Sequence, residues 1–272
     1  MKEIFFCLNC KKELKLINNC DLSILRCDFC DISFLYKNGI AVFETNLPKV
    51  IEDFWENYFE INKERSVELY LKEFFNKKDF FPKMLDLGCG DGRSAEAINT
   101  IADTLFCLDS SFSCLSKLKQ RNLKNIVAIQ GDGKNIPFPD NFFDGIISLS
   151  VVEHIPRENL SDFFKEVHRV LKKDGIFLVR NDAWFYGILE KLRILPNQCG
   201  KVPDVTHVSM MTGGTLCKEL KKANFEIIKE DHFPFYRFEK KYNIKIPRFV
   251  ARFFSTHSNF ICKPIKTNFN IN

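Results

Sequence analysis

The 272 residues are 45% hydrophobic and 28% charged, ordinary values for a folded chain with room for one large core plus an appendage, or for two modest domains, and they exclude bulk disorder. No apolar run approaches the 18 residues of a membrane span, and the amino-terminal stretch is charged and cysteine-bearing where a signal peptide would be cleanly apolar, so the expected location is cytoplasmic. The net charge of +5 is uneven: residues 1–50 balance seven Lys/Arg against six Asp/Glu, whereas His232–Asn272 carries eight Lys/Arg against Glu239 alone, which puts any footprint for nucleic acid or an anionic membrane in the tail.

Four of the eleven cysteines form two CxxC pairs, Cys7/Cys10 and Cys27/Cys30, with sixteen residues between them. Each pair can set two thiolates on one tight turn, and two such turns supply the four tetrahedral ligands of a structural Zn2+ with no open position for catalysis. A redox CxxC is the rival, but it belongs at the head of a helix in a βαβ unit and needs no second pair. Cys20 reads as a loop or core residue, and Cys89, Cys107, Cys114, Cys199, Cys217 and Cys262 as small core hydrophobes. Past the second pair, alternating apolar residues flank Asn38-Gly39, a hairpin signal. Residues 4 to 45 resemble the zinc ribbons of the Trm112-like family, which implies a companion module of a methyltransferase on which a partner protein could dock.

Leu47-Pro48 ends this pattern. Between residues 51 and 78, Leu69, Leu71, Phe74 and Phe75 suggest a helix with one apolar side. Strands are then expected at KMLDL, LFCLD, NIVAIQGD, DGIISLS and GIFLVRND. They alternate with helices over Ser110–Arg121 and over LSDFFKEVHRVL, the latter stopped by an Asp174-Gly175 turn, and TLCKELKKANFEIIKED adds a further helix and strand. Near-continuous apolar strands between amphipathic helices predict an α/β, Rossmann-like, mostly parallel sheet covered on both faces. The expected division is a ribbon (1–46), a helical linker (47–80), a cofactor-binding core (81–235) and a basic extension (236–272) that completes or flanks the core.

Gly88-Cys89-Gly90-Asp91-Gly92 follows a strand and precedes a helix, the place where backbone without Cβ atoms can approach a ligand closely. Asp109, 21 residues after Gly88 at the end of the next strand, is placed to accept ribose hydroxyls. Arg93 stands where a dinucleotide fingerprint wants glycine, so an adenosine-type ligand is favoured over NAD. LDLGCGDGR, CLDSS, GDGKNIPFPDNFFDGIISLSVVEHI and VHRVLKKDGIFLV, in this order, resemble the class I S-adenosylmethionine-dependent methyltransferases. The resemblance implies that Asp86 and the loop with Gly88, Cys89 and Gly90 cradle the methionine part. It also implies that Asp109, with Ser110 beside it, takes the ribose, Asp132 the adenine amino group, and that Gly133 gives the ring backbone access while Ser148 lines the pocket near the sulfonium.

Three candidates for the chemistry follow. His154 resembles the histidine of the family's EHI segment. His207, in THVSMMT, resembles a substrate-side histidine of methyltransferases acting on glycans and small molecules, and imidazole suits proton acceptance near neutrality. Asp182 sits past the fifth strand at the ligand-facing end of the sheet. His232 and His257 have no comparable context. No DPPY-type element follows the fourth strand, which counts against methylation of a base amino group. The expected reaction is methyl transfer to a hydroxyl of a small molecule or saccharide, lipid-linked substrates included. IPRFVARFF reads either as a packed helix with a basic rim or as a peripheral membrane contact. Methylation of rRNA or tRNA with the ribbon as RNA reader is the alternative, weakened by the ribbon's near-neutral charge; a non-enzymatic scaffold is the third reading.

Overall fold

A computed structural model describes residues 4–18, 23–43, 48–49, 51–55, 75, 80–192 and 206–266. Cys20, Cys199 and most of the expected linker helix, including Leu69, Leu71 and Phe74, lie outside the described residues.

The strands β1 (Lys15–Asn18), β2 (Ser23–Cys27), β3 (Ile32–Lys37), β4 (Ile40–Val42), β5 (Phe81–Leu87), β6 (Ala102–Asp109), β7 (Ile126–Gln130), β8 (Phe143–Leu149), β9 (Leu171–Asp182), β10 (Phe225–Phe233) and β11 (His257–Pro264) form one sheet. Its order is β1-β2-β3-β4-β7-β6-β5-β8-β9-β11-β10. The six strands from β4 to β9 are mutually parallel. The strand order reverses at β5, which lies between β6 and β8, and such a switch point opens a crevice at the strands' carboxyl ends.

The helices are α1 (Arg93–Ile98), α2 (Phe112–Gln120), α3 (Leu160–Val170), α4 (Trp184–Lys191), α5 (Gly213–Lys222), α6 (Phe235–Tyr242) and α7 (Arg248–Phe254). On one face of the sheet, Phe163, Phe164, Val167 and Val170 of α3 and Leu216 and Leu220 of α5 pack on Leu85, Leu87, Ile146 and Val179. On the other, Ala95 and Ile98 of α1 and Leu115 and Leu118 of α2 pack on Met84, Leu105, Cys107 and Ile147. Neighbouring residues of β5 thus feed opposite cores, which is the double coverage that a parallel sheet requires. Cys89, Cys107, Cys114, Cys217 and Cys262 are buried and unbonded to one another, as expected of small core residues. No helix among the described residues is long and apolar enough to cross a membrane.

One local expectation is corrected. The α3 helix ends at Val170, before Asp174-Gly175. β9 already pairs with β8 at Leu171↔Phe143 and resumes at Ile176↔Gly145, so Asp174-Gly175 belongs to an irregularity within the strand. The tail, in turn, supplies an antiparallel strand, β11, inserted between β9 and β10, which extends the sheet beyond the strands legible in the sequence.

The cysteine module is also continuous with the core. Asn38 and Gly39, at φ 54° and 73°, make the tight turn that sends β4 back along β3, and β4 then pairs in parallel with β7 (Ile40↔Ala128). Phe5, Leu14 and Leu25 of the module share the α3-side core, and the Phe6 ring meets Phe138 and Phe142 at centroid distances of 5.6 and 5.2 Å. A small module gains from the large domain the apolar burial it could not build alone.

Candidate functional site

The loop after β5 turns through three glycines at positive φ: Gly88 (79°), Gly90 (53°) and Gly92 (85°). The Gly90 amide donates to Asp109 Oδ2 (2.8 Å) and the Ser111 amide to Asp109 Oδ1 (2.9 Å). One carboxylate at the end of β6 therefore holds the loop and the start of α2 together, and each oxygen keeps a second lone pair for a ligand hydroxyl. Ser110 lends its carbonyl to Gln130 Nε2 (3.1 Å). Asp86 is buried and accepts from Ser94 Oγ (2.6 Å). Burial pushes its carboxyl up to about 7, with the Ser94 hydrogen bond opposing and the Asp109 charge adding to the rise. Cys89 is buried, its Sγ 3.7 Å from the Gly90 carbonyl.

Asp132 is exposed and closes a turn: its Oδ1 accepts from the Lys134 amide (2.8 Å) and its Oδ2 lies 3.5 Å from Lys134 Nζ. A Cβ on Gly133 would meet Phe163 at 2.8 Å, so the glycine there makes room for the α3 aromatic. Ser148, at the end of β8, is fully buried and its Oγ has no partner among the described residues. An unpaired buried hydroxyl at a switch point is a group that a ligand could satisfy.

The chain leaving β8 packs straight onto the glycine loop, with Val151 against Gly88. A single 3-10 turn (Val152–His154) follows. It buries Glu153 completely and turns His154 toward His207, the two rings lying 4.8 Å apart and 33° from parallel. The Ser209 amide donates to the Glu153 carbonyl (2.9 Å), and His154 Nδ1 lies 3.1 Å from the Thr206 carbonyl and 2.9 Å from Thr206 Oγ1. These contacts fasten the 206–209 segment beside the turn. Asp182, at the end of β9, is buried; its amide donates to Glu153 Oε1 (3.1 Å), and its Oδ1 lies 3.3 Å from both Ser150 Oγ and His257 Nε2. Burial would raise the Asp182 carboxyl, but His257, Arg180, His207 and His154 together hold it below the ordinary range. Glu153 goes the other way: burial, and then the Asp182 charge, raise it well above. The three sequence candidates His154, His207 and Asp182 thus meet at one place. Glu153 and His257 join them unforeseen. His257 was unreadable because β11 brings it there through an antiparallel insertion, while Glu153 stood in plain sight beside His154.

Residues 51–55 bridge both halves. Glu52 Oε1 accepts from Ser111 Oγ and the Ser113 amide, both at 2.9 Å, and the Trp55 ring meets His154 edge-on at 5.0 Å.

Across the sheet, one Sγ from each of Cys7, Cys10, Cys27 and Cys30 lies within 4.8 Å of the others. Cys10 and Cys27 are 3.5 Å apart, close to the ~3.8 Å that tetrahedral zinc–thiolate bonds would set. The donor set fits a closed metal site.

Residues 85–179 match the model of a methyltransferase domain family. Among curated relatives, the Saccharomyces cerevisiae 18S rRNA (guanine(1575)-N(7))-methyltransferase is 32% identical over 135 residues, 44% of this chain and 49% of that protein. The fatty-acid O-methyltransferase of Mycolicibacterium smegmatis is 31% identical over 116 residues, 42% of each. The chain spans about half the length of the curated relatives it matches. A structure from the complex of the Haloferax volcanii Trm112 methyltransferase activator superposes with a TM-score of 0.59 at 15% identity, covering 79% of this chain and 97% of that one, a likeness of fold. Sheet order and glycine loop agree with the match of residues 85–179 to a methyltransferase domain, the class of domain that this part of the chain resembles.

Proposed function

We propose that this chain transfers a methyl group from S-adenosylmethionine to a hydroxyl of a small molecule or saccharide. The observation that carries this reading is the cluster of two buried acids, Glu153 and Asp182, with the half-buried His154, His207 and His257, set beside the glycine loop. When bound, the cofactor supplies the electrophilic methyl. Asp86 and the Gly88–Gly92 backbone would take its methionine end, Asp109 its ribose and Ser148 Oγ the region between. The cluster's task is the remaining one: a hydroxyl is a weak nucleophile until its proton leaves, and positioned imidazoles and carboxylates at the strand ends can orient it and accept that proton. Asp182, its carboxyl held below the ordinary range, fits the role of orienting the histidine side.

Cys7, Cys10, Cys27 and Cys30 would hold one structural Zn2+, with the ribbon serving as a fixed extension of the sheet and a surface for a partner protein. The rRNA-methylating relative favours a second reading, methylation of RNA; a ring-nitrogen acceptor, however, needs no proton removed and gives the cluster nothing to do. The deciding experiment is transfer of radiolabelled methyl to fractionated cell extract. Label in a nuclease-resistant saccharide, lipid or small-molecule fraction supports the hydroxyl reading, and label confined to RNA overturns it.

A further inference from the structure

One atom of the cluster is left without a purpose by proton transfer. Glu153 is fully buried, its Oε1 accepts from the Asp182 amide, and its equally buried Oε2 has no hydrogen-bond partner among the described residues. A buried carboxylate oxygen without a donor carries an uncompensated desolvation cost, so the position asks for a cation or a proton.

The neighbours are suited to a cation. One ligand atom from each of Glu153, His154 and His207 lies within 4.8 Å of the other two. His154 Nδ1 lies 3.1 Å from the Thr206 carbonyl and 2.9 Å from Thr206 Oγ1, contacts that orient the ring; in the tautomer that donates Nδ1–H to the carbonyl, Nε2 carries the lone pair. Donation of one ring N–H to a carbonyl is the usual support of a metal-ligating imidazole. The bond from the Ser209 amide to the Glu153 carbonyl holds the segment of His207 in register with the turn of Glu153 and His154, so that the three groups meet by backbone construction.

From this the geometry points to a divalent-cation site made by the Glu153 carboxylate and the imidazoles of His154 and His207, separate from the four cysteines. Two imidazole nitrogens and one carboxylate oxygen suit Mn2+, Fe2+, Co2+ or Zn2+ in preference to Mg2+ or Ca2+, which favour oxygen ligands. Three protein ligands leave coordination positions open. The role of the ion rests on the reading of this crevice as the acceptor side of a hydroxyl methyltransferase: an open position takes the acceptor oxygen, fixes it, and lowers the pH at which it gives up its proton.

The test uses the full chain, its sulfur site first filled with one equivalent of Zn2+, titrated with Mn2+ while free Mn2+ is followed by electron paramagnetic resonance. One further ion per chain is expected, with affinity falling at least tenfold in His154→Ala and in His207→Ala while both variants melt like the wild type. Glu153→Gln should behave likewise; should it fail to fold, the two histidine variants decide. Absence of Mn2+ and Co2+ uptake beyond the sulfur site, or uptake indifferent to His207→Ala, overturns the site. Calorimetry with S-adenosylmethionine on the same samples separates the two proposals. Cofactor binding without Mn2+ or Co2+ uptake defeats the cation site alone, and uptake without cofactor binding supports the site while defeating the methyl-transfer reading.

Discussion

Val151 occupies the space that a side chain at Gly88 would need: a Cβ built there would lie 2.3 Å from Val151 Cγ2. Gly88 also sits at φ 79°, a conformation that costs other L-residues roughly 1–2 kcal/mol. The cofactor loop and the turn bearing Glu153 and His154 are therefore locked by one contact. Gly88→Ala is expected to destabilise the fold by about 2–4 kcal/mol in urea denaturation, combining overlap and strain, and to weaken S-adenosylmethionine binding more than tenfold. Adding Val151→Ala should return the overlap part but not the strain. Wild-type stability of Gly88→Ala would show that the contact holds nothing.

Asp109 satisfies two backbone amides, those of Gly90 and Ser111, with its two oxygens. Asparagine at this position keeps one acceptor oxygen and replaces the other with a donor, so one amide loses its partner and meets another N–H. Asp109→Asn should cost about 1–3 kcal/mol and at least tenfold in cofactor affinity, whereas Asp132→Asn, at an exposed turn, should change affinity little. Calorimetric titration of both variants checks the contrast; equal losses would reverse the assignment of weight between them.

Asp86 offers a pH signature. Burial raises its carboxyl from 3.8 to about 7, so the folded, ligand-free chain holds this proton more tightly than the unfolded chain. Its contribution to stability is fully present below 3.8 and fades as pH rises through 7. A cationic methionine end placed beside it favours the ionised form, so binding at pH 6 should expel a proton. Calorimetry at pH 6 in buffers of different ionisation enthalpy should show that release in the wild type and not in Asp86→Asn. A binding heat that is independent of the buffer would remove Asp86 from the cofactor site.

The core strands and the glycine loop could be read from the sequence because each rests on local signals: apolar runs of strand length, helical spacing of Phe163, Phe164, Val167 and Val170, and glycines between strand and helix. What escaped reading depends on distant partners. Nothing in HSNFICKP announces insertion between β9 and β10, so His257 could not be placed beside Asp182. The cluster of four cysteines was legible by spacing, but the pairing of Ile40 with Ala128 joins residues nearly ninety positions apart. At Gly133 a side chain would strike the Phe163 ring; a glycine's neighbour across space leaves no mark on its own sequence context.

That pairing makes the cysteine module part of the cofactor side. Val42 is aligned with Gln130, the Phe43 amide donates to the Gln130 carbonyl (3.0 Å), and the Gln130 side chain holds the Ser110 carbonyl next to Asp109. Lys11, between the cysteine pairs, donates to Asn135 Oδ1 (3.0 Å) and the Ile136 carbonyl (3.2 Å) in the loop that follows Asp132. A Cys7→Ser/Cys30→Ser double substitution is expected to abolish the proposed zinc binding, lower the melting temperature and weaken cofactor binding several-fold. Metal analysis together with calorimetry checks the chain of contacts, and a metal-free variant with wild-type affinity would break it.

At the other end of the sheet, Glu230 faces Arg252 at 2.8 Å, Arg248 at 3.6 Å and His232 at 3.5 Å. Burial alone would raise its carboxyl, but His232 and Arg252 outweigh it and hold the group down at about 2 against an ordinary 4.5. A depressed folded value means stability that is present above 4.5 and lost as pH falls toward 2. The melting temperature of the wild type should therefore drop between pH 5 and 2, and Glu230→Gln should flatten that slope while lowering stability at pH 7. The same contacts bear on the tail's charge, since both arginines of IPRFVARFF are turned onto this acid while Phe249 remains 75% exposed. Arg248 also lies 3.4 Å from Glu239, so Glu230→Gln should release Arg252 above all, and a rise in binding to anionic lipid vesicles in this variant would show that Glu230 restrains the basic face of α7; unchanged binding would assign the pair to stability only.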